Sequence, residues 1–204
     1  LGTVGVQAQD QTQFDITLPG IDVVIVMENT TRIAQSDPNN LRFNSVDFVA
    51  KLLADNALLY RAGAVNRLSL ITYSSLGASI QRNNLPFGGF SSPLTDADIS
   101  AYNTQLANLD DLRTISPQGS PETRGFQENV PALLSQLIPQ NSERRTLVLV
   151  VSAGIPQSSN PETDMPLFLN NIRNFTRNST LDFFFLNNLP AGTIDFNMSS
   201  TVNP

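Results

Sequence analysis

Apolar residues fall in short blocks along this chain, and the spaces between them are crowded with Asn, Ser, Thr and Pro. The block Ile21-Asp22-Val23-Val24-Ile25-Val26-Met27 runs into a polar loop, Glu28-Asn29-Thr30-Thr31-Arg32, and is preceded by Pro19-Gly20. A β-branched run of that length with turn residues on both sides reads as a strand buried on both faces, the kind found at the centre of a parallel sheet. In open α/β sheets ligands bind beyond the carboxyl end of such strands, which makes Glu28 to Arg32 the first candidate site.

Other blocks alternate in type. Before the central run, Phe14, Ile16 and Leu18 alternate with polar residues, as in a short edge strand or an ordered lead-in. After it, Ser36-Asp37-Pro38 is a helix-start signal. Val46, Val49, Leu53 and Ala57, joined by Leu52 and Leu59, recur at helical spacing and predict a helix over about 43–60. Arg67 to Tyr73 predicts a second strand, and Ala78 to Leu85 a weaker third strand at an edge. Pro86 to Pro93 reads as loop. Thr95 followed by Asp98 resembles a capping box, with Ile99, Tyr102, Leu106 and Leu109 as the inward face of a second helix.

Ser116 to Thr123 is a loop. Phe126, Val130, Leu133, Leu134, Leu137 and Ile138 predict a third helix in which Pro131 either makes a kink or marks the first turn. Thr146 to Val151 is a further doubly buried strand ending in Ser152-Ala153-Gly154. A fourth helix is expected over about Asp164 to Thr176, and Leu181 to Leu186 forms the last strand. The order β-α-β-β-α-α-β-α-β predicts a three-layer α-β-α fold with a mainly parallel central sheet and an antiparallel edge strand.

Composition narrows the function classes. The 204 residues, 40% apolar and 15% charged, suit one globular domain, and the net charge of −6 offers no basic face for nucleic acid. No apolar stretch reaches the roughly 20 residues that span a bilayer. The absence of cysteine and histidine removes disulfides, thiolate nucleophiles, Ser-His-Asp triads and the usual zinc sites. Gly88-Gly89 lacks the strand-to-helix context of a phosphate loop, and Phe183-Phe184-Phe185 reads as core. A hydrolase or nucleotide-using enzyme would need a nucleophile with its base, or a phosphate loop, and neither is found. Lys51 is the single lysine beside eleven arginines. A first residue other than Met suggests a processed form or part of a longer product.

The strings IDVVIVMENTTR, RLSLITYSS and TLVLVVSAG together resemble the von Willebrand factor A (VWA) domain family over residues 20–190. In that family a first strand of the form DVVxVxD runs into an Asp-x-Ser-x-Ser loop. That loop, a threonine before a later helix and an aspartate after the fourth core strand hold one divalent cation, usually magnesium. Carried over by position, the resemblance puts Glu28 at the first Asp, Thr30 at the first Ser and Arg32 at the second Ser. The threonine falls near Thr123, with Thr114 as the other choice, and the last aspartate falls on Ala153.

A carboxylate is therefore missing at Ala153 and a cation stands at Arg32, so the resemblance implies a degenerate site with no metal expected and magnesium as the alternative. Arg32 lying against Glu28 would replace the bound ion by an internal one. Asp96, Asp98, Asp110 and Asp111 sit in or beside a predicted helix, as acids near a helix start or on a wet face do. The domain plan is a lead-in at 1–20, a VWA-like domain at 21–190 and a C-terminal extension at 191–204. The extension lacks the pattern of a closing amphipathic helix, so residues 1–20, further sequence or a neighbouring subunit are expected to cover the exposed part of the sheet. Asn29, Asn174, Asn178 and Asn197 begin N-glycosylation sequons, as many as chance gives in so Asn-, Ser- and Thr-rich a chain. The resemblance implies a non-enzymatic protein-protein interaction or structural module of an extracellular or surface assembly, its metal site lost, with a metal-dependent adhesion module on a variant site of Glu28, Thr30 and Thr123 as the alternative.

Overall fold

A computed structural model describes residues 20–60, 64–120, 124–138, 144–152 and 181–187. Strand β1 (Asp22–Glu28) is buried at all of its positions. Val23, Ile25 and Met27 point into one apolar cluster, and Val24 and Val26 into a second on the opposite face. This is the three-layer arrangement in its smallest form: one strand, two cores.

Helix α2 (Phe43–Tyr60) covers the first core with Phe43, Val46, Ala50, Leu53 and Ala54. The second core is covered by α4 (Arg124–Glu128) and α5 (Val130–Leu137) through Phe126, Val130, Leu134 and Leu137. The predicted third helix is thus two helices that break at Asn129, and Pro131 lies in the first turn of α5, where its missing N–H costs nothing. The sheet has the order β3-β2-β1-β4-β5. Strands β2 (Val65–Ser74), β4 (Thr146–Ser152) and β5 (Leu181–Asn187) run parallel to β1 or to its neighbours, and β3 (Gly77–Gly88) returns antiparallel along β2 as an edge.

Several boundaries differ from the sequence reading. Strand β3 continues through Pro86-Phe87-Gly88, where the composition predicts loop; a proline is tolerated because β3 is the edge of the sheet among the described residues. Helix α3 (Asp96–Ala107) carries the expected capping box of Thr95 and Asp98. It stops short of Leu109, which is buried ahead of a 3-10 turn at Asp110–Thr114, and Ile99 faces outward at 56% exposure. Leu52, expected inward on α2, is 51% exposed. A short helix α1 (Thr31–Ser36) follows β1, and Ser36-Asp37-Pro38 marks its end instead of the start of α2. The lead-in, the predicted helix over 164–176 and the C-terminal extension lie outside the described residues, as do Thr123, Ala153, Asn174, Asn178 and Asn197.

Candidate functional site at the carboxyl end of the central strand

Strand β1 leads through α2 to β2 on one side and pairs with β4 on the other. The two covering layers lie on opposite faces, so the crevice between the carboxyl ends of β1 and β4 is where connections diverge, the usual ligand position in such sheets. Glu28 closes β1 there and Ser152 closes β4.

The Glu28 side chain is fully buried. Its Oε1 accepts from the Thr30 hydroxyl and from Arg32 Nε at 3.0 Å, and its Oε2 accepts from Arg32 Nη2 at 2.8 Å and from Ser152 Oγ at 2.7 Å. The two parallel N–H···O bonds form a bidentate Arg–carboxylate pair, which fixes geometry as well as charge. Its i, i+4 spacing comes from the tight turn that places Arg32 in the first turn of α1. Thr30 is the residue before α1, yet its hydroxyl is turned to Glu28 and does not cap the helix. The internal ion pair expected from the sequence is present. Thr114 stands at the end of the 3-10 turn, exposed, with its hydroxyl donating to the Asp111 carbonyl.

Other residues at the site had no signal of their own. Ser152 follows from the register, since Met27 pairs with Val151 and the next residue of β4 must stand beside Glu28. Tyr73, the partner of Glu28 across the β1–β2 ladder, is 1% exposed and packs on Phe126 with ring centroids 4.9 Å apart. Among the described residues its hydroxyl has no hydrogen-bond partner of ordinary geometry. Burial first, and the nearby Glu28 charge second, push its pKa well above the normal tyrosine range, while the neighbouring Ser152 pulls weakly the other way.

Around this centre Asn29 is buried. Its backbone N–H donates to the Tyr73 carbonyl at 2.8 Å, and its Nδ2 donates to the Ser116 carbonyl at 2.8 Å. Its Oδ1 accepts from Arg42 Nη2 at 2.9 Å. Arg42, whose side chain has no exposed surface, also pairs with Asp37 at 3.1 Å. Desolvation lowers its pKa, opposed by Asp37 and then by Glu28. Among the acids of the predicted helix region, Asp98 serves the cap of α3 and Asp111 pairs with Arg82. Among the described residues no group of three or more His, Cys, Asp or Glu side chains is placed to hold a metal ion.

With this geometry in view, comparison with known structures gives the fold. Proximal thread matrix protein 1 from the mussel byssus superposes with a TM-score of 0.53 at 14% identity, over 84% of this chain and 36% of that protein. The same protein with a zinc-occupied MIDAS motif gives 0.52 at 14% identity over the same shares. The fold is VWA-like. Manganese-loaded TRAP protein of Plasmodium vivax gives 0.51 at 14% identity, over 93% of this chain and 66% of that one. The VWA-like chain thus spans about a third of the byssus protein it matches. No family model matches the sequence, and no characterised protein matches it by sequence.

Proposed function

We propose that this chain is a non-enzymatic protein-interaction module of an extracellular or surface assembly, whose site at the carboxyl end of β1 carries the Arg32 guanidinium in place of a divalent cation. The observation behind this reading is the bidentate Arg32–Glu28 pair on a carboxylate with no exposed surface. Both Glu28 oxygens accept hydrogen bonds, and among the described residues the hydroxyls that donate to them are those of Thr30 and Ser152. Hard cations such as magnesium need several oxygen ligands with more than one carboxylate or many waters among them, and a fixed guanidinium repels them. These residues do not fit a magnesium ion. The zinc-occupied byssus protein and manganese-loaded TRAP share the fold, and in this reading Arg32 stands where such a protein would hold its ion. A non-enzymatic role is supported by a sequence with neither histidine nor cysteine.

A double-mutant cycle tests the internal cation. Arg32→Met leaves a buried carboxylate without its cation and is expected to cost about 3 kcal/mol in chemical denaturation, while Arg32→Met combined with Glu28→Gln recovers much of that loss. A single Arg32→Met variant within about 0.5 kcal/mol of wild type would mean that the pair behaves as an ordinary surface contact.

A further inference from the structure

Arg42 is costly to keep. A guanidinium with no exposed surface is expensive to desolvate; Asp37 carries the main compensating charge at 3.1 Å, and Glu28 adds to it from further away. That carboxylate also accepts from the backbone N–H groups of Leu41 at 2.7 Å and Arg42 at 2.9 Å. A second Arg42 partner, the Asn40 Oδ1 at 2.7 Å, belongs to a residue held at φ 55°, a left-handed conformation that asparagine tolerates better than most. The third partner is Asn29, and the guanidinium lies over the Phe43 ring at 4.6 Å. The connection between α1 and α2 is therefore built around one buried cation.

From Asn29 the contacts continue to a loop far along the chain. Besides its Nδ2 bond to the Ser116 carbonyl, Asn29 accepts from the Gln118 N–H at 2.7 Å through its own carbonyl. Thr31 N–H donates to the Gly119 carbonyl at 3.3 Å, and Ser120 N–H donates to Ser75 Oγ at 2.8 Å. Gly119 sits at φ +73°, and a Cβ there would lie 2.4 Å from Ser75 Oγ, so the loop fits closely in this position. Arg42 has no hydrogen bond to residues 115–120; Asn29 lies between.

From this we infer that Arg42 is a positioning residue of the candidate interaction face. Acting through the Asn29 carboxamide, it fixes the loop at 115–120 against the loop after β1, so that the loops over the site keep one arrangement. The inference rests on reading this end of the sheet as the interaction face, and it adds a second role for buried charge there: Arg32 neutralises the site, and Arg42 shapes it.

Hydrogen–deuterium exchange followed by mass spectrometry distinguishes coupling from merely local stabilisation. Arg42→Lys keeps the charge beside Asp37 but lacks the second nitrogen that reaches Asn29. Asn29→Asp keeps the acceptor for Arg42 but replaces the donor to Ser116 with an oxygen. In both variants exchange across 115–120 is expected to rise roughly tenfold, the size of losing one hydrogen bond in a buried network, while β1 stays protected. In Asn29→Asp the segment 37–42 also keeps its wild-type protection. Unchanged exchange at 115–120 in either variant would overturn the inference, and so would a rise shared equally by β1, which marks global loss of stability. Such a failure leaves the metal-free reading intact, because that reading is decided by the response to cations.

Discussion

Asn29 opens an acceptor sequence for N-linked glycans, but its carboxamide is spent inside the protein, donating to Ser116 and accepting from Arg42. A glycan on that nitrogen and the observed packing exclude each other. Folded protein secreted from a glycosylating host is therefore expected to carry Asn29 unmodified, as read by glycopeptide mass spectrometry; a glycan on Asn29 in the folded fraction would contradict the arrangement around it. Legibility at this scale was uneven. Glu28, Thr30 and Arg32 could be read because they follow directly on an apolar run whose end is unmistakable. Asn29 and Arg42 could not, because their meaning lies in partners 87 and 13 positions away. Ser152 was within reach through strand register alone.

Local chemistry made some elements readable and tertiary context decided others. The capping box at α3 was visible as Thr95 and Asp98, and the structure adds that Asp98 also accepts from Ser91 N–H at 3.1 Å. Its carboxyl is held below the usual range, chiefly by the Thr95 hydroxyl and then by the backbone N–H groups of Thr95 and Ser91. A depressed folded-state pKa gives stability that is complete above the unfolded value, about 3.9, and is lost as pH falls through the folded one. The stability gap between wild type and Asp98→Ala is therefore expected to be largest at neutral pH and to shrink below about pH 4, in denaturation curves taken across that range. A gap that does not change with pH would assign the loss to packing.

By contrast, α1 was missed because six residues are too short for a periodic signal. Spacing alone places Ile99 and Leu52 inward, although α3 has Asp98 buried at its first turn and α2 turns the neighbouring Leu53 and Ala54 to the core in place of Leu52. The helix over 126–138 looked continuous because its apolar spacing persists across the break at Asn129.

At the scale of the whole molecule, the alternation of buried strands and amphipathic helices was enough for a three-layer fold, because right-handed crossovers leave few other ways to bury them. Which strand lies beside which was less accessible: β4 pairs with β1 although β2 and β3 intervene in the chain. That pairing brings Ser152 to Glu28 and makes the crevice between β1 and β4 the site. The central claim concerns the charge held in that crevice, and it is tested by following thermal unfolding with and without millimolar magnesium or manganese. A ligand that binds only the folded state must raise its stability by mass action. The account predicts an unchanged midpoint for the wild-type chain. A rise of several degrees that disappears in Glu28→Ala would show that a cation binds Glu28 and would contradict the assignment of that place to Arg32.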